Sequence, residues 1–440
     1  MPSRLFVALV ALIALVAAAC GGSDDGDEAS ATSSAETATE DGSGDAAAAA
    51  AAEDGAAENG AAENGASAVP DESFDYGTVD YATEPSESAL LGNRLHESFP
   101  PPVVDPTLIR SGGVPPDGIF PIDEPTFAPP DEIDYELADG EGVIAVEIDG
   151  DARAFPVQLM IWHEIVNTEI GGTPVTVTYC PLCNSALTYD RRFAGRVLDF
   201  GTSGELYQSA LVMYDRQTES LWAHFTGTGL VGHFAGAELE LIPTQTVSYG
   251  EWKAAHPDGQ VLTRALNAPS RYQELYGSNP YAGYDVEAID PFGAFFVGEI
   301  DRTLLAKARI VGIADETGPI AVRFDDLVDN PVIPVTEAGR NLVVLFRPGL
   351  ASALDSAIIE NGREVGQSGV FVPVASDGTT LTFAADGDGF VDAETGSTWN
   401  VLGQATGGPL AGEQLQPVVH TDTFWFAWAT YQPGTEIIQP

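Results

Sequence analysis

The chain has 440 residues, 44% hydrophobic and 9% aromatic, which is enough apolar material for two or three domains with a substantial core. Against 66 acidic residues stand only 18 Lys and Arg, a formal net charge of −48. No basic cluster offsets that charge, so the surface repels polyanions and no nucleic-acid partner is expected.

The sequence opens MPSRLFVALVALIALVAAAC. Basic Arg4, an apolar run over 5–16 and three small residues before Cys20 form the pattern of a secretion signal over residues 1–19. Cys after small residues resembles a lipoprotein cleavage site. That implies a lipid on Cys20, attachment to a membrane through it, and a mature protein on the extracytoplasmic face. Residues 20–90 are mostly Ala, Gly, Ser, Thr, Asp and Glu, with seven alanines at 46–52 and the near-repeats AAEDG and AAENG. This composition has too little apolar bulk to offset its ordering entropy, so a disordered tether is expected. Prolines recur over 91–138, which predicts an extended strap, with the folded body starting near Tyr135.

Beyond that point the sequence repeats itself. Asp215-x-x-Thr218-x-Ser220-x-Trp222 recurs as Asp392-x-x-Thr395-x-Ser397-x-Trp399. Ala235-Gly236-x-x-Leu239 and Trp252 through Pro257 recur as Ala411-Gly412-x-x-Leu415 and Trp428 through Pro433, and Tyr179-Cys-Pro-Leu-Cys-Asn-Ser-Ala-Leu aligns with Phe346-Arg-Pro-Gly-Leu-Ala-Ser-Ala-Leu. These matches in one order predict two homologous units from an internal duplication, 139–268 and 304–437, joined by a Tyr-, Gly- and Pro-rich connector over 269–303. Short alternating runs such as VTVTY, ALTYDRR, RVLDF, ALVMYD and LVVLF, broken by Gly and Asp, predict strands. The expected fold class is mainly β with a few short helices. Pro156 to Asn167 has helical apolar spacing behind a proline, and Ser248-x-x-Glu251 is a capping box opening a second helix.

His163-Glu164-x-x-Asn167, Tyr179-Cys-Pro-Leu-Cys, Ser203-Gly204, Val212-Met-Tyr-Asp-Arg216, Trp399-Asn400-x-x-Gly403, His420 and Phe424-Trp-Phe-Ala-Trp428 together resemble the bacterial and archaeal family catalogued as domain of unknown function 3179. The resemblance covers roughly Gly140 to Pro433. It implies a fold unit and an extracytoplasmic habit, without a reaction.

The repeat acts as an internal control. Residues present in both units are attributed to the fold, and residues present once are where function is sought. By that test the Asp-x-x-Thr-x-Ser-x-Trp motif is structural, a side-chain-bonded turn with a core Trp. Cys180 and Cys183 face Arg347 and Leu350, so their sulfur is not needed for the turn. Three chemistries remain open for the pair. A metal knuckle points both thiolates at one ion, a thiol redox pair exchanges electrons, and an inert disulfide closes a small loop. The strand-like run after Cys183 favours the knuckle over a pair opening a helix.

A knuckle needs further ligands. His163, which aligns with Asn330, and His420, which aligns with Thr244, are the candidates for a Cys2His or Cys2His2 site holding copper or zinc. Glu164, Asn167 and Met213 are possible supporting residues, and His233 is a lesser candidate. Gly227-x-Gly229-x-x-Gly232 matches a dinucleotide fingerprint, but turn and strand residues follow it rather than a helix, so no nucleotide is expected. The connector tyrosines Tyr272, Tyr276, Tyr281 and Tyr284 line a cleft or pack as a joint, the joint being the simpler reading.

Overall fold

The computed structural model describes Leu95 and residues 99–440, so the secretion signal, Cys20 and the low-complexity tether lie outside the described residues. Among the described residues strands hold 38% and helices 12%, so this part is mainly β as its alternating runs predict. A hairpin of β1 (Gly142–Ile148) and β2 (Asp151–Pro156) leads into α1 (Val157–His163), β3 (Ile165–Ile170), β4 (Thr173–Cys180) and β5 (Ser185–Asp190). Next come β6 (Phe200–Tyr207), β7 (Ala210–Asp215), β8 (Leu221–Ala223) and β9 (Gly229–Val231). The first half ends with β10 (Leu241–Ile242), β11 (Gln245–Ser248), α2 (Tyr249–Ala255) and β12 (Gln260–Leu262).

The second half begins with β13 (Arg309–Asp315), β14 (Gly318–Arg323), α3 (Phe324–Asp329), β15 (Val332–Val335), β16 (Leu342–Arg347) and β17 (Gln367–Val372). It continues with β18 (Phe383–Asp386), β19 (Gly389–Asp392), β20 (Thr398–Trp399), β21 (Ala405–Gly407), β22 (Gln416–Pro417), β23 (Thr421–Phe424), α4 (Trp425–Tyr431) and β24 (Glu436–Ile437).

Sheet for sheet, the halves share one strand order. Order β11-β1-β2-β12 matches β23-β13-β14-β24, with only the last pair parallel in each. Order β10-β5-β4-β3 matches β22-β17-β16-β15, and β6-β7-β8-β9 matches β18-β19-β20-β21. The repeated Asp motif has one hydrogen-bond pattern in both halves. Asp215 accepts from Thr218 N–H (2.6 Å), Thr218 Oγ1 (2.8 Å) and Trp222 Nε1 (2.8 Å). Asp392 accepts from Thr395 N–H (2.6 Å), Thr395 Oγ1 (2.9 Å) and Trp399 Nε1 (2.9 Å). Each carboxylate thus fastens a tight turn to the indole that fills its own core.

The halves also share apolar interior. Phe424, Trp425, Phe426 and Trp428 of the second half belong to the same buried cluster as Tyr179, Leu182, Leu187 and Trp222 of the first. At about 1.5–3 kcal/mol for each large apolar side chain, that shared interior is a major stabilising term.

Three expectations need correction. The helix predicted over Pro156 to Asn167 stops at His163, because Glu164 takes a left-handed conformation (φ 59°) and Ile165–Ile170 pairs with β4 through the Gly171-Gly172 turn. Helical apolar spacing does not survive where a partner strand captures the same residues. The Pro-rich strap belongs to the body rather than preceding it. Ile109–Ser111 adds an edge strand to β6, Phe127–Ala128 adds one to β12, and Arg216 pairs with Asp117 and Asp123.

The third correction concerns the repeat itself. β4 and β5 meet through Pro181–Asn184, with Cys180 paired to Ser185, whereas β16 pairs with β17, Arg347 facing Gln367. The strand matching Ser185–Asp190 is therefore Gln367–Val372, and Ser352-Ala353-Leu354 lies in the long excursion 348–366 between β16 and β17. Arg347 does occupy the place of Cys180, and it pairs with Glu251.

Candidate functional site

β4 delivers Cys180 as its last residue, Pro181 and Leu182 make the bend, and Asn184 (φ 51°) completes it in the left-handed region that Asn tolerates. Every residue of β4 from Val175 to Cys180 is buried, and so is Cys183, so both sulfurs sit inside the body. Cys180 is 2% and Cys183 0% exposed, and the two thiols are not joined to each other.

The second half and the connector hold the turn in place. Cys183 O accepts from Thr423 Oγ1 (2.8 Å) and Phe424 N–H (3.1 Å). Leu182 O accepts from Tyr284 Oη (3.0 Å). Tyr284 is itself pinned by Lys307, whose Nζ donates to its carbonyl (2.6 Å) and lies 3.5 Å from its ring centroid. Burial draws the Lys307 ammonium down to about 8. The excursion then grips the connector, with Gly283 N–H donating to Asp355 O (2.8 Å) and Ile359 N–H to Gly277 O (3.0 Å).

The electrostatics of the two thiols differ. Burial works against a charge on Cys180, but the Cys183 thiol and the N–H groups of Cys183, Leu211 and Leu182 outweigh it and hold Cys180 below the usual thiol range. Of these donors, Leu211 N–H lies 3.4 Å from Sγ. Cys183 is pushed well up by burial, by its role as donor to Cys180 and by the charge on Cys180, while its Sγ lies 3.0 Å from Ser185 Oγ. The Glu164 carboxyl is also pushed well up, first by burial and then by Cys180. The pair is thus held unequally, with Cys180 drawn toward its anion and Cys183 and the Glu164 carboxyl drawn toward their neutral forms.

The nominated ligands do not gather round the sulfurs. His163 donates from Nδ1 to Phe120 O (2.5 Å), so its Nε2 accepts from Tyr276 Oη (2.7 Å), and the ring stacks on Tyr272 at 4.7 Å. Both nitrogens are occupied, and burial lowers the imidazole to about 4. His420 donates from Nδ1 to Val418 O (2.8 Å) and faces a different cavity, of about 210 Å³, with Glu147, Trp252, His256 and Gln414.

The supporting residues are also engaged elsewhere. Asn167 sits on β3, not on a helix face with His163. It donates to Asp123 Oδ1 and Phe200 O, both at 2.7 Å, and so latches the strap. Met213 lies inside β7, opposite Thr202 and Trp222. His233 packs against Phe99 at 4.3 Å. Among the described residues, no three His, Cys, Asp or Glu side chains come together as a metal-holding group.

Some of the site was not legible in the sequence. Thr423 and Phe424 reach Cys183 across a separation of 240 residues, which no local pattern announces. His224, fully buried with Nε2 3.3 Å from Thr178 Oγ1 and Nδ1 without a partner, follows the first Asp motif at a position the second half fills with Val401. The connector does more than join the halves, because Tyr281, Phe292 and Phe295 line a cavity of about 70 Å³ together with Glu164, Leu182 and Leu211.

Comparison with known families decides the kinship. The family model described as "Protein of unknown function (DUF3179)" matches residues 116–435. The chain belongs to this family. The match spans both halves and the C-terminal part of the strap. No curated protein and no solved structure matches.

Proposed function

We propose that this DUF3179 member carries a dithiol–disulfide redox centre, with Cys180 as the attacking thiolate and Cys183 as the thiol that closes the disulfide. The observation that carries the reading is the asymmetry of the pair. One sulfur accepts from Leu211 N–H (3.4 Å) and is held below the usual thiol range, and its neighbour three residues on is pushed well above it. The Cys180 thiolate attacks a small disulfide RSSR, forming a Cys180–S–S–R bond and releasing RS⁻. That anion takes the Cys183 proton to become RSH, and the Cys183 thiolate attacks the Cys180 sulfur. The second RS⁻ leaves and is protonated from solvent. Two electrons pass from the cysteines to RSSR, and an external dithiol reverses the change.

Burial of both sulfurs suits a small partner rather than a protein disulfide. A lipid on Cys20 at the extracytoplasmic face would place the centre where disulfides persist. The test equilibrates the protein in glutathione buffers of graded ratio, traps free thiols by alkylation and reads the mass. A single two-electron transition is expected, with Cys183→Ser accumulating one glutathione on Cys180. Two alkylatable thiols at every ratio would sink the reading.

A second reading keeps a metal. The hairpin supplies two sulfur donors on one turn, and copper(I) is stable with two thiolates, whereas zinc takes four donors that do not converge here. Copper(I) retained against a competing chelator by the wild type, and lost in the Cys180→Ser, Cys183→Ser pair, supports it. Equal retention by both excludes it.

A further inference from the structure

The cavity of about 210 Å³ that His420 faces lies where the two halves meet, lined by β1, β11 and α2 of the first and by the segment 402–420 of the second. Its free polar groups are chiefly acceptors. Gln245 Nε2 donates to Ser368 O (3.1 Å) and Val401 O (3.2 Å), and Gln414 Nε2 donates to Leu402 O (2.9 Å) and Leu415 O (3.1 Å). Both amides thus turn their nitrogens to the backbone and keep their oxygens as the free ends. His420, only 5% exposed, donates from Nδ1 to Val418 O (2.8 Å), so in the neutral ring Nε2 is an acceptor, and it has no partner among the described residues. Burial lowers that imidazole to about 4, away from its charged form. Glu147 and Asp149 add two exposed carboxylates.

The donors are fewer. Gln404, whose oxygen accepts from Asn400 Nδ2 (3.2 Å), keeps its NH2 group, Trp252 has its indole N–H, and His256, with Nδ1 3.8 Å from Glu147 Oε2, has one N–H when neutral. The Thr244 hydroxyl is committed to Ile242 O (2.9 Å). Among the described residues no Lys or Arg lines the cavity.

We propose that this cavity is a binding site for a small organic cation of the alkylamine class, a short aliphatic diamine. An ammonium group carries three donors and no acceptor, which complements the amide oxygens, the His420 nitrogen and the two carboxylates. The carboxylates supply the opposite charge, and Ala145, Val146 and Leu402 cover the methylenes. The volume fits roughly six to nine non-hydrogen atoms, since a cavity of about 150 Å³ takes benzene. A bare metal ion is a poorer match, because no three His, Cys, Asp or Glu side chains converge among the described residues. Neither cysteine lines the cavity, so this site and the dithiol centre can fail independently.

Binding of 1,4-diaminobutane and of 1,4-butanediol, alike in length and different in charge, is measured on the full chain by ligand-observed NMR. The diamine is expected to bind and the diol to bind at least tenfold more weakly. A net charge of −48 attracts any cation, so the control is Asp388→Asn, an exposed acid that does not line the cavity. That variant should hold the diamine within twofold, whereas Glu147→Gln should weaken it at least fivefold and His420→Phe at least tenfold. Should His420→Phe fail to fold, the exposed Glu147→Gln and the diamine-to-diol ratio decide alone. Absence of diamine binding, equal binding of the diol, or equal losses in Glu147→Gln and Asp388→Asn overturn the proposal. Displacement of the diamine by equimolar calcium overturns it in favour of an inorganic ion. The Cys180→Ser, Cys183→Ser pair is expected to bind the diamine as wild type does.

Discussion

The β4–β5 turn and the β16–β17 connection start from equivalent strands and solve the same problem differently. In the first half, four residues return the chain at once and bury two sulfurs within the bend. In the second, Arg347 takes the place of Cys180 and points to Glu251, and the chain leaves on the excursion 348–366 before β17 resumes the sheet. That excursion carries Ser352 and Arg363 to the fully buried carboxylate of Asp285, on the connector. The half without the sulfurs thus supplies the clamp for the connector that covers them. Two halves of one strand order thus differ at this connection, one holding the thiols and the other clamping the connector that packs on their turn.

The sharpest way to break this comparison is to cut the clamp. Asp285 accepts from Arg309 Nη2 (3.0 Å), Ser352 Oγ (2.5 Å) and Arg363 Nη1 (2.8 Å), with its side chain 0% exposed. Asp285→Ala strands Arg309 and should cost on the order of 3–5 kcal/mol in denaturant unfolding. It should also speed alkylation of Cys180, because Tyr284 loses its support. An unchanged alkylation rate would separate the clamp from the thiols.

A second test sets the two Asp motifs against each other by pH. Burial raises Asp215 to about 6, whereas the hydrogen bonds from Trp399 and Thr395 overcome a weaker burial effect and lower Asp392. A raised carboxyl stabilises the fold below its unfolded value of 3.8 and loses that contribution as pH rises through about 6. The advantage of wild type over Asp215→Asn should therefore fall by on the order of 3 kcal/mol between those limits. For Asp392 the sign reverses. Its contribution is present above 3.8 and is lost as pH falls through its lowered value. Unfolding free energies measured across pH 3–7 check both slopes.

The smallest expected effect compares the helices after β11 and β23. Ser248 caps α2 by accepting from Glu251 N–H (3.4 Å), while Phe424 gives α4 no side-chain cap. Ser248→Ala should lower stability by about 1 kcal/mol, seen as a shift in denaturant midpoint without a change in slope.

Much of the fold was legible because its signals are local. Alternation at Val175 to Cys180, the capping Ser248 and the paired Asp motifs depend on neighbours within a few residues, and each acts in the structure as its chemistry predicts. The site was legible only at Cys180 and Cys183, whose residue type announces reactivity. His163 and His420 misled, because an imidazole's role is set by what faces its two nitrogens, here Phe120, Tyr276 and Val418.

By itself, then, the sequence determined the β-rich class, the family and the cysteine-bearing turn, since periodicity, motif and side-chain chemistry are written along the chain. Only the tertiary structure decided that Ile165–Ile170 is a strand, that the strap belongs to the body, and that Thr423, Tyr284 and Glu164 meet around Cys180 and Cys183. Those outcomes depend on which distant strand wins a pairing and which side chains share a buried space, and no stretch of sequence contains that information locally.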